Sequence, residues 1–422
     1  MSNKVIAKTM EQGGKPGLKP KLRFPEFRDA KDWEVDPLGS RVTKVGSGMT
    51  PNGGESNYKR SGRPFVRSQN VGWGELILDD VVFIDDELHT TFAATEVRLH
   101  DVLLNITGAS IGRSAVADSR IAGGNVNQHV CIIRSEEKAL IPTFLNQYLL
   151  SNYGQSQIDS FQAGGNRQGL NFAQVRSFSI PLPPTTAEQE KIANCLTSVD
   201  ELIAAQARKV DTLKAHKKGL MQQLFPREGE TIPRLRFPEF QNGPEWNERT
   251  LVSACQMQAG KFVSASDIQD EAGEGLYPCY GGNGLRGYTK TYTHSGKYPL
   301  IGRQGALCGN VKLGSGQFHA TEHAVVATPQ NGIDVDWLFY TLDVLNLNQY
   351  ATGQAQPGLS VDVLEEVSLA IPDQKSEQLK IARCLASLDG LTTAQTQKLE
   401  LLKTHKKGLM QQLFPSPEEV EA

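Results

Sequence analysis

The 422-residue sequence contains no apolar run approaching the ~20 residues that a membrane-spanning helix needs. Its opening stretch, MSNKVIAKTMEQGGKPGLKPK, is polar and basic without an apolar segment, so no signal peptide is expected. Cysteine is sparse: six residues, at 131, 195, 255, 279, 308 and 384, and no Cys-x-x-Cys pair. That argues against a disulfide framework and a structural zinc site, and predicts a cytoplasmic chain. No Gly-x-x-x-x-Gly-Lys-Ser/Thr loop is present, which argues against an ATP-driven translocase. No Asn/Asp-Pro-Pro-aromatic tetrapeptide occurs, so an adenine methyltransferase centre is not expected here. The run Gly282-Asn-Gly284-Leu-Arg-Gly287 matches Gly-x-Gly-x-x-Gly, but it lies among turn residues and precedes strand-like sequence, so it predicts no dinucleotide site. His319, Glu322 and His323 lack a suitably spaced third partner and read as turn or base-contact residues. The chain is therefore expected to carry no metal and no catalytic residue. An excess of either charge is also lacking: 44 Lys and Arg against 47 Asp and Glu give a net charge of −3, which alone argues against a nucleic-acid partner.

Hydrophobic residues make up 39% and charged residues 22% of the chain, enough to build packed cores rather than a disordered polymer. Forty glycines and 21 prolines predict many turns. The length predicts two or three domains, at roughly 150 residues each.

Self-comparison organises the rest. HKKGLMQQLFP occurs at 216–226 and again at 405–415. Upstream, Glu188-Gln-Glu-Lys-Ile-Ala-Asn-Cys-Leu196 matches Glu377-Gln-Leu-Lys-Ile-Ala-Arg-Cys-Leu385 at the same offset of 189. Leu22-Arg-Phe-Pro-Glu-Phe27 recurs as Leu235-Arg-Phe-Pro-Glu-Phe240, and Trp33 matches Trp246, at an offset of 213. The chain thus reads as motif, variable region, helix, then the same again, with the first variable region 24 residues longer.

Each repeated segment predicts a long helix. Ile192, Leu196, Val199, Ile203, Gln206, Val210, Leu213, Lys217, Leu220 and Leu224 alternate spacings of four and three. So do Ile381, Leu385, Leu388, Thr392, Gln395, Leu399, Leu402, Lys406, Leu409 and Leu413. This heptad seam predicts that the two helices form a coiled coil with each other, the alternative being two amphipathic helices on separate cores. Gln206 and Gln395, like Lys217 and Lys406, occupy matched seam positions and would fix register. The lysine pairs 217–218 and 406–407 are otherwise expected to complement helix dipoles. Thr185 or Thr186 and Ser376 are candidate N-caps, and Pro226 and Pro415 stop the helices. Thirty-three heptad residues span about 50 Å. Paired antiparallel, such helices would hold two modules apart as a ruler.

Residues 38–184 and 251–373 read as short strands with turns: 64–67, 75–78, 80–84, 101–105, 129–133, 299–302 and 323–327, with helices near 142–152 and 335–346. Ile106–Val116 resembles Ile301–Val311, and Val126–Ile133 resembles Ala320–Ala327, so one α+β fold is expected twice. Residues 56–74 hold Lys59, Arg60, Arg63 and Arg67 without an acid, and residues 275–321 hold Arg286, Lys290, Lys297, Arg303 and Lys312 without one. Aromatic residues interleave with both stretches, and acids cluster elsewhere, at Asp79-Asp80 and Asp85-Asp86-Glu87. Arg and Lys suit phosphate or guanine, and Asn and Gln suit adenine. The candidate DNA contacts are Lys59, Arg60, Arg63, Arg67, Gln69, Asn70, Arg113, Asn125, Asn127 and Gln128 in the first region. In the second they are Tyr280, Asn283, Arg286, Arg303, Gln304 and His323. An ordinary solvated surface is the alternative reading.

The layout resembles the specificity (S) subunit of bacterial type I restriction–modification systems. The resemblance rests on Leu-Arg-Phe-Pro-Glu-Phe…Trp, the Pro-Leu-Pro-Pro…Glu-Gln-x-Lys-Ile-Ala lead-in at 181–193 and the repeated helix ends, and covers the chain beyond residue 20. It implies an α+β chain with two target recognition domains of similar fold. A long antiparallel two-helix coiled coil would separate them, with a pseudo-two-fold internal repeat. The expected segments are a flexible basic tail (1–20), first recognition domain (21–184), central spacer helix (185–226), second recognition domain (227–373), C-terminal spacer helix (374–415) and tail (416–422). The resemblance also implies double-stranded DNA read as a bipartite target, and docking of two methyltransferase subunits and of restriction subunits. S-adenosylmethionine, ATP and Mg would then sit on those partners, and no cofactor on this chain. Loops 163–171 and 352–360 resemble the glycine-rich loop ending each family domain, which makes Asn166, Arg167 and Gln354 candidate phosphate contacts. The rival readings are a self-sufficient nuclease or methyltransferase, a coiled-coil scaffold that binds protein only, and a DNA-binding or coiled-coil adaptor subunit of another DNA-modification or defence complex.

Overall fold

The computed structural model describes residues 18–136, 138–162, 169–305, 307–353 and 357–415. The chain divides into two compact units, Met1–Ala205 with Leu399–Ala422, and Gln206–Lys398. In chain order the first variable region forms β1 (Glu34–Pro37), β2 (Val42–Ser47), β3 (Arg63–Val66), β4 (Val82–Ile84), α1 (Asp86–Thr91), β5 (Val102–Asn105), β6 (Ser114–Val116), β7 (Asn125–Val126), β8 (Val130–Ser135), α2 (Pro142–Leu150), α3 (Asn152–Ser160), α4 (Phe172–Arg176) and β9 (Ser179–Leu182). The 39-residue helix α5 (Thr186–Leu224) follows. The second region forms β10 (Asn247–Thr250), α6 (Leu251–Ala254), β11 (Cys255–Ala259), β12 (Tyr277–Gly281), β13 (Gly284–Thr289), β14 (His294–Gly302), β15 (Val311–Ala320), β16 (Ala324–Pro329), α7 (Val335–Val344), α8 (Val361–Glu365) and β17 (Ser368–Ile371). It ends in a second 39-residue helix, α9 (Lys375–Leu413).

In the first unit the main sheet runs β2-β8-β5-β6, all antiparallel, beside a smaller sheet β4-β3-β7 in which β3 and β7 are parallel. Strand β5 is buried at every position, as its unbroken apolar run demands. Its side chains alternate between faces: Val102 and Leu104 join a core with Phe144 and Tyr148, while Leu103 packs with Val66, Val126 and Ile132. In the second unit one sheet runs β11-β16-β14-β15-β12-β13. The same alternation places Ile301 and Val325 against Trp337 and Leu338, and Leu300 and Val326 against Phe318. The expected strand at 75–78 is absent; an isolated bridge from Val71 to Leu76 replaces it, because Gly74 (φ 100°) turns the chain there.

The repeated motifs form the frame of each unit. Arg23 donates two 2.8 Å hydrogen bonds to the Glu188 carboxylate, and the Trp33 indole N–H donates a third at 3.3 Å. Arg236, Trp246 and Glu377 repeat this at 2.6, 2.7 and 3.2 Å. The Gln189 and Gln378 amides accept from the backbone N–H of Ile141 and Asp334, both at 2.8 Å, and so fix the start of α2 and α7. The short ribbons β1–β9 and β10–β17 lead directly into the two long helices.

Both units take part of each long helix. In the first, Ile192 and Leu196 pack in one core with Met410 and Leu413, and Asp200 meets Lys406 at 2.7 Å. In the second, Leu224 packs with Ile381 and Leu385, and Lys217 meets Asp389 at 2.6 Å. The numbering runs in opposite senses, so within each unit the segments are antiparallel. All the seam residues named above are buried or half-buried, including Val199, Ile203, Leu213, Leu220, Leu388, Leu402 and Leu409, whereas Leu202, Leu391 and Leu401 off the seam are exposed. Leu196 and Leu385 are fully buried, each worth about 1.5–3 kcal/mol. Gln206 donates to the Gln395 amide at 3.0 Å and to its backbone carbonyl at 2.8 Å. Lys217 and Lys406 bind aspartates, which corrects the dipole reading, since a carboxylate one contact away outweighs a screened half-charge. The Thr185 hydroxyl caps α5, but α9 starts at Lys375, so Ser376 lies inside its first turn and is no N-cap.

Candidate nucleic-acid interface

At one end of each main sheet three backbone segments meet in the same pattern. In the first unit the β5–β6 turn closes with Asn105 N–H to Arg113 O (2.8 Å) and Gly112 N–H to Asn105 O (3.0 Å). In the second the β14–β15 turn closes with Gly302 N–H to Asn310 O (2.9 Å) and Gly309 N–H to Gly302 O (2.7 Å). Ile106 N–H reaches His129 O and Arg303 N–H reaches His323 O, both at 3.0 Å. Leu170 N–H then bonds Ile106 O at 2.8 Å, and Leu359 N–H bonds Arg303 O at 2.9 Å. Thr107 pairs with Gly169 as Gln304 pairs with Gly358. Ile106 is therefore equivalent to Arg303, two residues beyond the expected match with Ile301. The register is set by glycines with positive φ, Gly108 and Gly112 against Gly305 and Gly309, rather than by the isoleucines.

The frame is shared and two of its three matched side chains differ: Thr107 and Gln128 in one unit stand where Gln304 and Glu322 stand in the other, while His129 and His323 are matched histidines. The Thr107 hydroxyl lies 2.5 Å from His129 Nδ1, and the Thr50 hydroxyl bonds the Gln128 amide. His323 Nε2 lies 3.3 Å from Glu322 Oε1, and the buried Arg303 Nε, Glu322 Oε2 and His323 Nδ1 have no protein partner. Gln304, Asn283 and Arg286 are exposed, Tyr280 is half-buried against Phe318, and Arg113 is half-buried with its Nε unpartnered. Asn283 sits in the β12–β13 hairpin turn, in keeping with the turn reading of Gly282–Gly287. His319 uses both ring nitrogens within the protein, on Thr291 and the Lys261 carbonyl, each at 3.0 Å.

Several expected contacts are corrected. Asn70 is fully buried; its amide donates to Ile77 O and Asp80 and accepts from Arg67 N–H. Arg67 and Gln69 also bind Asp80. Asn125 is fully buried, joined to His89 and the Phe92 carbonyl. Asn127 is buried and holds the backbone of His129. Arg63 reaches Asp86 at 2.6 Å, and its guanidinium holds that carboxyl below the usual carboxylate range. For Arg63 and Arg67 the separation of bases from acids is thus a feature of the linear sequence only. Antiparallel pairing of β3 with β4 returns Asp80 and Asp86 to Arg67 and Arg63. Lys59, Arg60 and Gln128 remain exposed. Asn166, Arg167 and Gln354 lie outside the described residues.

A family model for the type I restriction modification DNA specificity domain matches residues 31–215 and 244–404. The chain belongs to this specificity-domain family. It carries two specificity domains. It is 49% identical to the type I restriction enzyme EcoprrI specificity subunit of Escherichia coli over 154 residues, which is 36% of this chain and 38% of that one. It is 24% identical to the MjaVIII specificity subunit of Methanocaldococcus jannaschii over 425 residues, 93% of each chain. A solved S subunit from M. genitalium shares the fold with a TM-score of 0.62 at 17% identity, over 94% of this chain and 100% of that one. A chain from work on complex assembly and conformational transition of the type I R-M system gives 0.56 at 18% identity, over 91% and 98%. Among the described residues no helix is long and apolar enough to cross a membrane.

Proposed function

We propose that this protein selects DNA for a type I restriction–modification complex, each specificity domain reading one half of a bipartite duplex target. The observation that carries this reading is the repeated three-segment junction with unlike side chains at two of its three matched positions. One backbone frame presenting Thr107, Gln128 and His129 in one copy and Gln304, Glu322 and His323 in the other suits two different sequences on one type of ligand.

The helices α5 and α9 form the spacer of this proposal, an antiparallel coiled coil. Each is about 58 Å long at 1.5 Å per residue, more than one ~34 Å turn of B-DNA. The exposed Leu202, Leu391 and Leu401 support a docking role for the helices toward methyltransferase subunits. The chain supplies no catalytic group in this reading. Two methyltransferase subunits bring S-adenosylmethionine and flip the selected adenine, and restriction subunits bring ATP and Mg.

The test is titration of labelled duplex with the chain co-purified with its methyltransferase subunits. Binding that weakens steeply with salt and is competed only by duplex of one bipartite sequence is expected. Equal competition by all sequences would refute recognition by this chain.

A further inference from the structure

Phe262 has the most exposed large apolar side chain among the described residues, at 75%. Its backbone is nonetheless anchored on both sides. Gly260 N–H bonds Ala324 O at 2.9 Å, and a Cβ at residue 260 would overlap the Ala320 carbonyl. Lys261 donates its N–H to Ala320 O at 2.8 Å and accepts from His319 Nε2 at 3.0 Å. Val263 is buried. The ring is therefore held out in water by a fixed loop, and that loop adjoins the segment ending at His323. Exposed Lys261 flanks it, and Leu285 at the start of β13 and Leu307 in the β14–β15 turn are also exposed. The first unit has a related arrangement one residue out of step, Met49 following Gly48 directly where Phe262 stands two residues after Gly260. Gly48 lies flush on the Val126 carbonyl, Met49 is exposed, and the next residue, Thr50, is tied to Gln128.

An apolar side chain preorganised beside cations and base-reading groups has the character of a wedge. Phe and Met enter base steps, where unstacking is offset by the contacts a bent duplex allows. We propose that Phe262 inserts into the base stack of the half-site read by the second domain, with Met49 as the smaller counterpart in the first. This inference rests on the DNA-recognition reading above.

The experiment compares the wild-type chain with Phe262→Ala, Phe262→Leu and Lys261→Ala, each assembled with its methyltransferase subunits. The probes are duplexes of the target, identified by mapping methylated adenines, carrying 2-aminopurine at successive positions. With wild type, one position other than the methylated adenine should brighten. Phe262→Ala should lose that signal and about tenfold or more in affinity, with an unchanged dependence on salt. Phe262→Leu should retain most of both, and Lys261→Ala should lower the salt slope by about 1. A mismatch at the brightened step, already unstacked, should restore Phe262→Ala. Unchanged brightening and affinity in Phe262→Ala would overturn the wedge while leaving sequence-specific binding in place. Loss of subunit assembly without DNA would overturn it in favour of a protein contact. Absence of specific binding by the wild-type complex would instead refute the recognition reading.

Discussion

Arg236 and Glu377 meet through hydrogen bonds of 2.6 and 2.7 Å although 141 residues separate them. The Glu377 side chain is only 1% exposed, and its hydrogen bonds raise the pKa of Arg236 further above its ordinary value. The pair fastens the segment before β10 to the first turn of α9. Arg236→Met should cost about 3–5 kcal/mol, because it leaves a buried carboxylate without its cation. Replacing both partners by apolar residues should cost less than the single change. Urea unfolding of the wild type and the two variants measures this, and a double mutant as unstable as the single would contradict it.

Asp80 gathers Arg67, Gln69 and Asn70. Asp80→Ala should destabilise the first unit by about 1–3 kcal/mol, since the buried Asn70 amide loses an acceptor. Thermal unfolding tests it. The same change should strengthen non-specific DNA binding at low salt by releasing Arg67.

His294 stacks on Phe318 at 5.4 Å between ring centres. Burial lowers its pKa below the ordinary 6.5, and the charges of His319 and Lys261 add to this. The unfolded chain then takes up a proton near that value while the folded one does not. The contribution of His294 is thus complete above it and declines as pH falls through it. His294→Phe should flatten the loss of stability between about pH 7 and 5, and an unchanged pH profile would count against this burial.

Adding one heptad at Gln206 and one at Gln395 preserves the seam and lengthens each helix by about 10 Å. The gap between half-sites in the methylated sequence should grow by about three base pairs. An unaltered gap, read by sequencing methylated DNA, would sink the ruler.

The sequence made the helices legible because their spacing is a one-dimensional pattern, and residues such as Leu196 and Leu385 have no other use at that period. The apolar strand Val102–Asn105 was legible for the same reason. Polar contacts were not. Asn70 and Asn125 have side chains suited to a base, but burial is decided by which strand lies beside them, and β3 pairs with β4 and β7. Glu188 and Glu377 were missed although a signal existed: each stands in a repeat whose partner motif carries a matched Arg and Trp. The equivalence of Ile106 with Arg303 depends on turn geometry that apolar matching cannot register.

The most direct test of the central claim is to exchange residues 38–184 for the corresponding region of another specificity subunit and map the adenines methylated in cells. The account predicts that one half of the bipartite sequence changes while the other half and the spacing stay fixed. A change in both halves would contradict it.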